Sequence, residues 1–102
     1  MSSQSNRIRV IVLINAKEGK IKSHYIFMLL VNPPRKCEGN VTYTFNKSIE
    51  DPNELLFDEV WENKEAYDKH YNNLESIDLR TKVQDLVSRP IEFKLYNEIT
   101  GP

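Results

Sequence analysis

The 102-residue chain predicts an α+β fold of order β-α-β-β-α-β, a four-stranded antiparallel sheet with helices on one face. Three observations predict it. Apolar side chains recur at every second position in 8–15, 41–46, 55–62 and 91–96, the period of a strand. They recur at i, i+4, i+7 and i+8 in Ile21-Tyr25-Met28-Leu29 and again in Leu79-Val83-Leu86-Val87, the period of a helix. Turn residues separate the stretches.

Residues 1–6 are polar and are expected to form a loose tail before one domain over 7–99. Ile8, Val10, Val12 and Ile14 alternate with Arg9, Ile11, Leu13 and Asn15, a β-branched strand that is apolar on both faces near its centre. Lys17-Glu18-Gly19-Lys20 ends it. The helical stripe from Ile21 follows, and Pro33-Pro34 force its end near Asn32. After Glu38-Gly39-Asn40, the residues Val41, Tyr43 and Phe45 define the second strand. Asp51-Pro52-Asn53 turns the chain into the third, Leu55–Glu62, where Leu55, Phe57, Glu59 and Trp61 share one face. The two strands form a hairpin.

Asn63 suits a helix N-cap and Glu65 its first turn. Asn72-Asn73 interrupts this helix, Ser76 can cap a second piece, and Arg89-Pro90 stops it. Ile91, Phe93 and Leu95 alternate with Glu92, Lys94 and Tyr96 as the last strand. Helices on one side leave the other sheet face partly apolar and uncovered. A second copy of the chain is the economical cover, so a homodimer is expected.

Composition narrows the function. The formal net charge is -1, and lysines and arginines are scattered, which argues against nucleic acid. The longest apolar run, Tyr25–Val31, falls far short of the ~20 residues that span a bilayer. One cysteine, Cys37, allows no internal disulfide. The N-terminus has no apolar signal core, so a soluble cytoplasmic protein is expected. Two histidines and one cysteine at unrelated spacings form no metal-ligand pattern, and three glycines form no phosphate loop. No cofactor and no metal are therefore expected, and a small aromatic ligand is the easier fit. The acidic residues of 50–65 read as turn and solvent-facing charge.

Several segments in order carry a resemblance. They are Lys17-Glu18-Gly19-Lys20, Glu38-Gly39-Asn40-Val41-Thr42-Tyr43, Asp51-Pro52-Asn53, Glu59-Val60-Trp61-Glu62-Asn63-Lys64-Glu65-Ala66 and His70. From Ile8 to about Asn97 the chain resembles the antibiotic-biosynthesis monooxygenases, small dimeric α+β barrels of ferredoxin-like topology. The resemblance implies a cofactor-independent monooxygenase that oxidises a quinol or phenolic aromatic with dioxygen. The family also includes haem-degrading members and members of no known activity, since a fold does not fix a function. Polyketide-oxidising members carry an asparagine where this chain has Phe57, which weakens the case for a polyketide. Their tryptophan and the tyrosine after it are matched by Trp61 and Tyr67. Many members have Pro-His and an aromatic where Leu74-Glu75-Ser76 stands.

His70 and Trp61 are the candidate catalytic residues. A histidine titrates near neutral pH and can take a phenolic proton. An indole offers a flat wall and one N–H for an oxyanion. Tyr67 lies one turn before His70 and can face the same pocket. Tyr67, Phe57, Tyr43 and His24 are the candidate substrate contacts, with His24 also the rival base. Each aromatic also reads as ordinary core packing, and each histidine as a surface residue. The alternative function is a dimeric, non-catalytic binding or stress-response module of the same fold. Haem binding comes third, because it needs His70 and Asn15 to face each other.

Overall fold

The computed structural model describes residues 3–31 and 37–100, without the side chains of residues 3–5, 25, 29–31 and 100. The elements are β1 (Ser3–Asn15), α1 (His24–Val31), β2 (Asn40–Lys47), β3 (Glu54–Trp61), α2 (Lys64–Tyr71), α3 (Leu74–Val83) and β4 (Glu92–Thr100). The strands form one antiparallel sheet in the order β2-β3-β1-β4, which is the ferredoxin-like topology expected.

Register follows from the alternating pattern. Val12 pairs with Phe57 on one side and Phe93 on the other. Ile8, Val10, Val12 and Ile14 are therefore buried with Leu55, Phe57, Glu59 and Trp61 on the face that the helices cover. Burying such a set is the main stabilising term, roughly 1.5–3 kcal/mol for each large apolar side chain. α1 packs against α3, and Ile26 and Val83 of these helices are fully buried. The opposite face carries Ile11, Leu13 and Leu56, each half-buried, beside the exposed ion pair of Arg9 with Asp58.

The β2–β3 hairpin closes through side-chain bonds in its turn. Ser48 Oγ accepts from the backbone N–H of Glu50 and Asp51, and Asp51 Oδ1 accepts from Asn53 N–H at 2.9 Å. Asn63 caps α2 as expected, its Oδ1 accepting from Ala66 N–H at 2.8 Å.

Four boundaries differ from the sequence pattern. β1 begins at Ser3, where a loose tail was expected, because its backbone continues to pair with β4 at Ser3–Thr100 and Gln4–Ile99 past a register shift. Polar side chains hid this extension. α1 starts at His24 rather than Ile21. Lys20 and Ser23 first make turns, and Ser23 Oγ then accepts from Ile26 N–H at 3.3 Å. The cap of α3 is Asn73, not Ser76. Asn73 Oδ1 accepts the Ser76 N–H at 2.8 Å, so the Asn72-Asn73 pair ends one helix and begins the next. Val87 leaves the helical stripe and bridges to Ala16. The expected stop at Pro33-Pro34 lies outside the described residues.

Candidate functional site

Between the helix-covered face of the sheet and α2–α3 lies a cavity of about 250 Å³. The sheet contributes Val12, Ile14, Tyr43, Phe57, Glu59 and Phe93. The helices contribute Tyr67, His70, Tyr71, Leu79 and Arg80, and the segment before β2 contributes Cys37. Four of the six sequence candidates, Tyr43, Phe57, Tyr67 and His70, are thus brought together. Alternation on β2 and β3 aims Tyr43 and Phe57 inward, and one helical turn aligns Tyr67 with His70.

Trp61 and His24 fall elsewhere. His24 is exposed at the start of α1 and does not line the cavity. Trp61 is completely buried behind it. Its indole N–H donates to Glu59 Oε1 at 3.0 Å, so it is not turned to a substrate oxyanion. The indole face instead backs His70, with ring centroids 5.0 Å apart and planes 26° from parallel. Tyr67 meets the same indole edge-on at 6.0 Å.

Among the cavity side chains that reading residue by residue missed are Glu59, Cys37 and Arg80. Glu59 is 5% exposed, not solvent-facing. The signal was present: it shares its strand face with Leu55, Phe57 and Trp61. Cys37 Sγ lies 3.5 Å from His70 Nδ1. The guanidinium carbon of Arg80 lies 3.8 Å over the Tyr71 ring, a cation–π contact at the cavity wall. Nothing in the sequence links either of these residues to His70.

Gly39 explains how Cys37 reaches that position. Its φ of +86° is costly for an L side chain, and a Cβ there would stand 2.5 Å from the Ala66 Cβ. The glycine lets the segment carrying Cys37 lie directly on α2.

The surroundings move four of these groups, His70, Glu59, Tyr67 and Cys37, toward their neutral forms. Burial, aided by the positive charge of Arg80 and opposed by Glu75, lowers the proton affinity of His70 below the usual imidazole range. Burial pushes Glu59 up to about 7, with the Trp61 hydrogen bond pulling the other way and the Asp58 charge adding to the rise. Burial raises the Tyr67 phenol, and Glu59 raises it further. Burial also raises the Cys37 thiol, followed by Glu75 and Glu59.

Among the described residues no group of three or more His, Cys, Asp or Glu side chains is placed to hold a metal. Asn15 does not line the cavity with His70. No helix among the described residues is long and apolar enough to cross a membrane.

Residues 7–79 match the model of the antibiotic biosynthesis monooxygenase family, and the chain belongs to that family. Among curated proteins, the uncharacterized protein sll1783 of Synechocystis is 33% identical over 66 residues, which cover 65% of this chain and 45% of that protein. The match thus spans less than half of that relative's length. Solved structures share the fold. Protein SO0527 of Shewanella oneidensis superposes with a TM-score of 0.85 at 20% identity, covering 99% of this chain and 100% of that one. SnoaB, a cofactor-independent oxygenase from Streptomyces nogalater solved as a mutant, superposes with a TM-score of 0.75 at 13% identity, covering 90% and 92%.

Proposed function

We propose that the chain is a cofactor-independent monooxygenase that oxidises a small phenolic or quinol-type aromatic with dioxygen. The observation that carries this reading is the aromatic-walled cavity of about 250 Å³ that both His70 and Arg80 line, with burial lowering the proton affinity of His70. Roughly 150 Å³ of apolar cavity accommodates a benzene ring. The space therefore suits a substituted ring or a two-ring aromatic better than a large polyketide.

The chemistry needs one group above all, a base for the phenolic proton. A phenolate gives an electron to dioxygen far more readily than a phenol does. A neutral imidazole is already in the accepting state at pH 7. Tyr67, Tyr43 and Phe57 would position the ring, and Arg80 would offer positive charge to the developing oxyanion in a site of low dielectric. Trp61 acts as the rigid backing of His70. One oxygen atom enters the substrate, the other leaves as water, and the substrate supplies the electrons.

The reading extends to the assembly. Ile11, Leu13, Leu56 and the exposed Tyr96 on the open face favour a homodimer through the sheet. A single thiol beside a histidine fits the reducing cytoplasm.

Oxygen uptake over a panel of hydroquinones and naphthohydroquinones tests the function. Turnover above the autoxidation rate, lost on the order of 10²-fold in His70→Ala, is expected. A wild-type protein no faster than autoxidation across the panel would leave the binding-module reading in its place.

A further inference from the structure

The cavity holds a carboxyl group that the reaction above leaves idle. Glu59 lies in the middle of β3, between Val10 of β1 and Tyr43 of β2. No ion pair reaches it among the described residues, and the charge that acts on it, from Asp58, is of like sign. The ionisable groups facing the same cavity are Tyr43 on β2, Tyr67, His70 and Tyr71 on α2, Glu75 and Arg80 on α3, and Cys37 before β2. A carboxylate so placed is costly, whereas a carboxylic acid is not.

The hydrogen bond fixes where the acid proton sits. An indole N–H only donates, so Glu59 Oε1 must accept it. The proton of the neutral acid then belongs on Oε2, the oxygen that Trp61 does not hold. Trp61 thereby organises two groups at once: the acid at its N–H edge and the imidazole over its face.

We propose that Glu59 is the general acid of the site, donating its Oε2 proton to the substrate peroxide so that the O–O bond breaks and water leaves. This rests on the monooxygenase reading above. His70 first takes the phenolic proton. The phenolate and dioxygen combine in two one-electron steps into a peroxide on a ring carbon, which takes that proton back from His70. His70 next removes the hydrogen of the peroxide-bearing carbon as a proton. The C–H electron pair becomes the second bond of the new carbonyl. The O–O bond breaks, and the departing hydroxide takes the Glu59 proton to become water. The imidazolium proton then returns through solvent to the Glu59 carboxylate. Burial favours the starting states of both groups, since it pushes Glu59 up to about 7 and His70 down.

The test is hydrogen peroxide released per oxygen consumed, with a hydroquinone as substrate, for wild type and Glu59→Gln. Glutamine keeps an oxygen for the Trp61 N–H but has no proton to give. Wild type should release little peroxide at about pH 6. The peroxide fraction should climb several-fold as Glu59 ionises above about pH 7. Glu59→Gln should lose most of its oxygen as peroxide at every pH. Wild-type coupling in Glu59→Gln, or a wild-type peroxide fraction that is flat across this range, overturns the proposal and leaves the His70 assignment standing. The wild-type series decides by itself if the variant fails to fold. Oxygen uptake no faster than autoxidation overturns the monooxygenase reading and the acid role with it.

Discussion

Replacing Glu59 by glutamine should make the folded chain more stable at pH 8 and change little at about pH 4. The carboxyl binds its proton more tightly folded than unfolded, since its ordinary value of 4.5 rises to about 7 on burial. The folded state therefore holds more protons than the unfolded state between those values, and stability falls as pH rises through that window. Each tenfold change in proton affinity is worth about 1.4 kcal/mol, so ionised Glu59 costs about 3 kcal/mol above pH 7. Glutamine stays neutral throughout and keeps the bond from Trp61. A gain of this size corresponds to ~10 °C or more in melting temperature for a domain of this length. Urea unfolding of both proteins at about pH 4, 6 and 8 reads the difference. His70 has the opposite linkage: its lowered proton affinity gives stability that is present above the usual imidazole value and lost as pH falls from there through the lower folded value. That contribution is common to both proteins and cancels. A stability difference that does not vary with pH, or a variant less stable than wild type at pH 8, would refute the neutral buried acid.

Three further outcomes follow from the same geometry. Activity in the quinol assay should rise with pH through an apparent value below the ~6.5 of an ordinary histidine, and His70→Ala should abolish this limb along with on the order of 10²-fold of the rate; an unchanged limb would exclude His70 as the base. Gly39→Ala should lose about 2–4 kcal/mol, combining a positive φ with overlap on Ala66, whereas Gly19→Ala meets open space and should lose about half as much, both read by urea midpoint; equal losses would argue against the close approach that seats Cys37. Light scattering at micromolar concentration should report a dimer burying upward of roughly 1,200 Å²; a mass of 12.0 kDa would show a monomer.

The topology was legible because alternation survives along each strand. Ile8 to Ile14 and Leu55 to Trp61 each keep one alternating apolar set, which the pairing of Val12 with Phe57 and Phe93 brings to one face, although Ile11, Leu13, Leu56 and Val60 leave the other face apolar as well. Ends were less legible. The pairing of Ser3 and Gln4 with β4 is made by backbone, which leaves no mark in side-chain polarity. Asn73 and Ser76 are both competent caps, and sequence alone does not say which peptide first turns helical. In the site, alternation sets Tyr43 and Phe57 on their strand faces and one helical turn relates Tyr67 to His70, while Arg80, on a regular helix, carried no such mark. Cys37 was not, because the path of the segment before β2 depends on Gly39 meeting Ala66. Glu59 was misread because residue type was weighed above strand position.

That misreading bears on function. At the centre of β3 an apolar side chain would pack between Val10 and Tyr43 with no ionisation cost, and buried charges replaced by apolar groups commonly gain stability. Glu59 costs about 3 kcal/mol above neutral pH, a large part of the 5–15 kcal/mol that holds a typical domain together. Trp61 does not require it for a partner, since phenylalanine would fill the same wall with no N–H to satisfy. The proposed acid role gives the pair a use, since the carboxyl lines the cavity. A binding module could use such a group only as a hydrogen-bond partner, whereas an oxygenase that must break an O–O bond gains an acid beside its base. Glu59 and His70, both moved toward their neutral forms by burial and both in contact with one indole, therefore favour catalysis over binding alone.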